Sequence, residues 1–86
     1  MTYFQAVEIK MDLIVNMQYS GVFKKEAAEA LKETASKYTD EQLAEALCAI
    51  KQHYRQEYED DKKLFAYAVS SKKWDTTKIK EEKKNA

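Results

Sequence analysis

The chain is 86 residues long, with one Gly, no Pro, and 15 basic and 15 acidic residues that cancel to zero net charge. This length allows one domain at most, and the shortage of turn-forming residues argues against a sheet protein. The balanced charge argues against a nucleic-acid-binding protein without excluding one, and the longest apolar run, 13–15, is too short to span a membrane. We therefore expect an all-α protein that is soluble.

The first predicted helix begins at Thr2, because Thr2 and Gln5 have the spacing of a capping box. Gly21 supplies a C-terminal stop. The apolar residues between them cover one broad face, and a polar stripe lies opposite, at Glu8, Asp12 and Asn16. A second interpretation stays open, because residues 7–19 also alternate between apolar and polar types. In that case the segment is a strand paired across a dimer.

A second predicted helix, residues 24–37, is short and rich in Ala. Its apolar stripe consists of Phe23, Ala27, Ala30, Leu31 and Tyr38. Thr39 and Gln42 then form another capping-box pattern, and Tyr38 and Leu43 occupy the two positions of a hydrophobic staple. These signals predict that a third helix begins directly after Thr39.

The third predicted helix covers residues 40–70, with a stripe that continues through Phe65. A straight helix of that length is about 45 Å long, whereas a domain of this size is roughly 30 Å across. The helix must therefore break near Asp60 or pack its distal half on another chain. The fold prediction is a three-helix unit or helical hairpin with one long C-terminal helix.

The charge is distributed unevenly between the body and the end of the chain. Residues 72–86 carry six Lys against three acidic residues, and residues 1–71 carry nine basic against twelve acidic residues. We therefore expect a single helical domain over residues 1–71 and a basic, frayed tail over residues 72–86.

Residues with chemical potential do not form a convincing catalytic or metal site. His53 and Glu57 have metal-ligand spacing, but a metal needs three or four ligands. Cys48 and His53 point in different directions on one helix, so Cys48 is expected to be a small buried residue. Because Cys48 is the single cysteine, it cannot form an intrachain disulfide, which indicates a reducing, cytoplasmic location. We expect no enzymatic activity, no metal and no cofactor.

The strong core-forming residues are few, since Leu, Ile, Val and Phe together number 16. A core of this size favours burial against a partner. We therefore expect a homodimer that binds and modulates another protein, for example an inhibitor of a host enzyme encoded by a phage or mobile element. The expected oligomer core is Ile9, Leu13, Met17, Leu47 and Ile50. The expected partner-binding residues are Tyr54, Arg55, Tyr58, Lys62, Phe65, Tyr67 and Trp74.

Two other function classes stay open. The Lys-rich tail could serve a nucleic-acid-associated regulator, in which case binding falls steeply with salt. Alternatively, an oligomeric bundle could bind a small ligand between Tyr and Lys residues at a subunit interface.

Overall fold

The computed structural model describes residues 1–19 and 24–78, and within them it contains helices and no strand. The all-α prediction is confirmed, and the first segment is a helix. The elements are α1 (Tyr3–Tyr19), α2 (Lys24–Ala35), α3 (Asp40–His53), α4 (Arg55–Ser71) and a 3₁₀ turn (Thr76–Lys78). The predicted stop at Gly21 and the stripe residue Phe23 lie outside the described residues.

Both predicted capping boxes are formed. The Gln5 amide donates to Thr2 Oγ1 at 3.1 Å, and the Thr2 amide donates to Gln5 Oε1 at 2.9 Å. At the start of α3, the corresponding distances between Thr39 and Gln42 are 3.0 and 2.8 Å. Each pair satisfies two backbone donors that a helix N-terminus otherwise leaves without a partner.

The predicted long helix over residues 40–70 is two helices, which corrects both the helix count and the position of the break. Tyr54 lies between them in an extended conformation, with φ −153° and ψ 108°. Its amide still donates to the Ile50 carbonyl at 2.8 Å, which completes α3. The break therefore comes six residues before Asp60, and it lets α4 fold back along α3.

Apolar side chains from all four helices form one core. Its buried members are Ala6, Ile9, Leu13, Leu31, Ala35, Leu43, Ala46, Ile50, Phe65 and Ala68. Ile9, Leu13 and Ile50, predicted as oligomer core, are thus buried within a single chain, and Leu47 packs half-buried against them. The side chain of Met17 lies outside the described part of the molecule.

Residues 72–78 pack on the helical body, although the sequence assigned them to the tail. Lys72 Nζ donates to the Tyr38 carbonyl at 2.5 Å and forms an ion pair with Asp40 at 2.8 Å. The Trp74 ring packs half-buried against the core, and its carbonyl accepts a hydrogen bond from Lys32. Residues 79–86 lie outside the described residues.

Candidate interaction surfaces

The predicted partner-binding residues do not share one surface. Exposed members are Tyr54, Arg55, Lys62 and Tyr67, whereas Tyr58 and Trp74 are half-buried. Phe65 is 2% exposed because it points into the core from the inner face of α4. It therefore cannot contact a partner while the chain is folded in this way.

A partly buried ion-pair cluster joins α1 to α4. Lys10 Nζ lies 2.9 Å from Glu57 Oε2 and 2.9 Å from Asp61 Oδ2. Asp61 is buried, so its negative charge depends on the Lys10 ammonium for compensation. Both carboxylates lie within the third predicted helix, and in the structure they form the ion pairs with Lys10.

Tyr3 completes this cluster at the start of α1. Its hydroxyl donates to Glu57 Oε1 at 2.6 Å, and its ring stacks on His53 with centroids 3.8 Å apart and planes at 20°. The hydrogen bond from Tyr3, followed by that from Lys10, lowers the pKa of Glu57 because both stabilise the carboxylate. The cluster thus holds the first turn of α1 against the break between α3 and α4.

These contacts give structural roles to residues that had been candidates for chemistry. His53 and Glu57 separately contact Tyr3, and within residues 1–19 and 24–78 no group of three or more His, Cys, Asp or Glu is arranged to hold a metal. Cys48 is exposed, which corrects the expectation that it is buried, because it lies on the outer face of α3. Its sulfur lies 3.7 Å from the Gln52 amide nitrogen.

A second polar contact fixes α1 against the end of α2. The Tyr38 hydroxyl donates to Asp12 Oδ2 at 2.9 Å. Burial of the phenol, the hydrogen bond to Asp12 and the negative charges of Asp12 and Glu8 raise the pKa of Tyr38 to about 12. Asp12 therefore contributes to the packing of α1, whereas Glu8 stays exposed.

The outer face of α4 is of mixed polarity. Lys51 and Lys62 lie 4.9 and 5.9 Å from the centroid of the Tyr58 ring, which is within the range of cation–π attraction. Further along α4, an open depression of about 490 Å³ is lined in the described residues by Lys63, Ala66, Tyr67 and Ser70. Tyr67 is the large apolar group on this face, so α4 offers no extended apolar patch among these residues.

The outer face of α1 is different, because it is apolar although it points away from the core. Phe4, Met11 and Val15 are 79%, 47% and 38% exposed, and Val7 and Ile14 are half-buried beside them. We call these five residues the α1 outer stripe. The sequence predicted a polar stripe opposite the core-facing side of this helix. That prediction is wrong, because the residues directly opposite Ile9 and Leu13 are apolar. The periodicity alone does not distinguish the core-facing side from the outer stripe, since in the sequence the two form one broad apolar face.

Comparisons with protein-family models, with curated proteins and with solved structures gave no significant match to this chain. Among the helices that the structure describes, none is long and apolar enough to cross a bilayer.

Proposed function

We propose that this protein is a non-catalytic interaction module that binds another polypeptide through the α1 outer stripe. One observation carries the proposal: Phe4, a large aromatic residue, is 79% exposed in line with other apolar side chains on a helix whose opposite side is already in the core. A helix that is apolar on both sides is typically covered on both sides. Large exposed apolar patches on small proteins typically mark interaction sites.

The polar residues support a binding role rather than catalysis. Lys10 forms ion pairs with both Glu57 and Asp61 within the seam between α1 and α4, and the Tyr3 hydroxyl donates to Glu57. A catalytic acid or base needs access to a substrate in a pocket. These groups instead fix α1 in place and so hold the outer stripe in a defined, preorganised arrangement. Preorganisation lowers the entropy cost of binding.

A second candidate contact surface lies on α4 and at the break before it, and consists of Tyr54, Arg55, Lys62 and Tyr67. Tyr and Arg are residue types that contribute strongly to protein interfaces. They are exposed, but they lie apart along α4 and alternate with acidic residues. We rank this surface below the α1 outer stripe because it lacks a continuous apolar centre.

A nucleic-acid-associated role ranks lower. In the described part of the tail, Lys72 forms an ion pair with Asp40, and Lys78 lies 3.9 Å from Asp75. Lysines that are paired within the chain are less available to phosphates. This alternative requires binding to nucleic acid that weakens steeply with salt and is lost on deletion of residues 72–86.

Photo-crosslinking tests the proposed site. A photoreactive phenylalanine analogue is placed at position 4, and in a separate chain at position 67, in cells that produce the protein. Both positions are exposed aromatic residues, so the second is a matched control. We expect protein adducts from position 4 that position 67 does not give. If position 4 gives no protein adduct, or only the adducts also seen from position 67, the proposal is wrong.

A further inference from the structure

The geometry points to a second copy of this chain as the occupant of the α1 outer stripe, with the two α1 helices packed antiparallel about a twofold axis near residue 9. This inference rests on the proposed function, since it names the partner of the same surface. Three features of the stripe bear on it: the spacing of its residues, the charges at its edges and its extent.

The spacing of four of the five outer-stripe residues is the same when read in either direction, and Val15 lies beside this row. Phe4, Val7, Met11 and Ile14 are separated by three, four and three residues. In an antiparallel pair this places Phe4 opposite the partner's Ile14, and Val7 opposite the partner's Met11. A twofold interface requires one patch to be complementary to itself, and this spacing meets that requirement. It is also the a/d spacing by which two helices interlock their side chains.

The size of facing side chains also matches. The large ring of Phe4 meets the branched Ile14, and the flexible Met11 meets the smaller Val7. All four are apolar, so the centre of the pair contains no charge. Lys10, which lies at one edge of the stripe, is held by Glu57 and Asp61 within its own chain. It therefore does not bring an unpaired positive charge toward the copy.

Glu8 lies at the edge of the stripe opposite Lys10. A change at Glu8 has different effects on binding to a second copy and on binding to an unrelated partner. It is exposed and one residue from the proposed axis, so the two Glu8 carboxylates would approach each other. Like charges across an interface weaken association. Replacing Glu8 by Gln should therefore strengthen a homodimer. A different partner that offers a basic residue to Glu8 would instead bind the Glu8→Gln variant less tightly.

The length of the stripe sets the expected strength. From Phe4 to Ile14 it spans about 15 Å at 1.5 Å per residue. With five stripe residues on each side, the contact is smaller than a standard stable interface, which has roughly 20–30 residues a side. We therefore expect a dimer whose population rises with concentration between the micromolar and millimolar ranges, rather than a permanent one.

The first test is solution mass by light scattering on the full chain across a dilution series. We expect the mass to rise from the 10.1 kDa of one chain toward twice that value at high concentration. Phe4→Asp should weaken association by roughly tenfold or more, as loss of a large aromatic contact at an interface does. Tyr67→Asp is the matched control and should leave the dissociation constant unchanged. Glu8→Gln should lower the dissociation constant.

A complementation test checks the antiparallel register. Phe4→Lys and Ile14→Glu chains should each be monomeric, because each places a charge in an apolar layer of the pair. Mixed together, they should form a heterodimer, since only the antiparallel register places residue 4 opposite residue 14 of the other chain. Circular dichroism of each variant shows whether it is folded. If the Ile14→Glu variant is unfolded, the register is tested instead by whether Glu8→Gln lowers the dissociation constant of the dimer.

The outcomes separate this inference from the proposed function. A chain that stays monomeric at all concentrations, while position 4 crosslinks to a different protein, overturns the homodimer and supports the interaction module. A monomer without adducts from position 4 overturns both. A dimer that Tyr67→Asp weakens and Phe4→Asp does not would place the interface on α4 and overturn the antiparallel α1 pair.

Discussion

Lys10 is the residue on which the seam between α1 and α4 depends most. Its ammonium forms ion pairs with two carboxylates, those of Glu57 and Asp61, and its side chain is 18% exposed. In the sequence, no local pattern relates Glu57 and Asp61 to Lys10, which lies 47 residues before Glu57. The pairing exists because the tertiary fold brings α4 back against α1, so it could not be predicted from helical periodicity.

Lys10→Met should destabilise the folded chain by about 2 kcal/mol, because it leaves two poorly hydrated carboxylates without a counter-charge. The Met side chain keeps the apolar stem, so the loss reports mainly on the charge. Urea unfolding followed by circular dichroism measures the change. Lys62→Met is the matched control: its 2.8 Å ion pair with Glu59 is 48% and 42% exposed, and its removal should leave stability unchanged within error. If Lys10→Met and Lys62→Met reduced stability equally, burial would not explain the contribution of the Lys10 ion pairs.

Tyr3 affects how the stability of the contact between α1 and α4 depends on pH. The folded protein holds the pKa of Glu57 below its ordinary value of 4.5, so the ionised carboxylate contributes stability above pH 4.5. This contribution is lost as the pH falls through the lowered pKa. Tyr3→Phe removes the largest cause of the shift. We expect the pKa of Glu57 to rise, measured by NMR titration, and the variant to be less stable than the wild type at neutral pH.

The difference in stability between wild type and Tyr3→Phe should be constant above about pH 5 and should narrow as the pH falls below 4.5. Tyr67→Phe, which removes an exposed hydroxyl far from Glu57, should show no such pH dependence. If the difference between wild type and Tyr3→Phe stays the same down to pH 3, the hydrogen bond does not favour the ionised carboxylate.

At the scale of the helices, start signals were predictable and the break between α3 and α4 was not. Thr2 with Gln5 and Thr39 with Gln42 are local patterns, and both form the expected hydrogen bonds. The break at Tyr54 has neither Gly nor Pro to mark it. Its extended backbone is fixed by the contacts that the reversal makes possible, above all the burial of Phe65 and the approach of Glu57 to Lys10. Tertiary contacts of this kind override local propensity.

Thr39→Ala should destabilise the chain by about 1 kcal/mol, because the Gln42 amide loses its acceptor at the start of α3. Thr39→Ser keeps the oxygen and should restore most of the stability. Thermal unfolding of the three proteins at one concentration gives the comparison. An Ala variant as stable as the Ser variant would show that the side-chain hydrogen bond is dispensable.

At the scale of the whole molecule, the main discrepancy concerns where the folded body ends. Composition placed a boundary at residue 71, since the following segment is rich in Lys and poor in apolar residues. Charge composition does not show that Lys72 reaches the Tyr38 carbonyl, nor that the Trp74 ring packs on the core. The sequence also predicted partner contacts along the third predicted helix and at Trp74, whereas Phe4, Met11 and Val15 are exposed on α1.

Truncation tests whether residues 72–78 are a tail or a packed part of the helical body. A chain ending at Ser71 should be about 2 kcal/mol less stable than a chain ending at Lys78, because it loses the half-buried Trp74 ring and the Lys72 contacts. Because both chains lack residues 79–86, the difference reports on residues 72–78 alone, and urea unfolding measures it. Trp74→Ala in the longer chain should account for most of the loss, since a packed ring contributes more than a partly exposed ion pair. Two chains of equal stability would mean that residues 72–78 form a tail, as their composition suggests, and that the helical body is complete at Ser71.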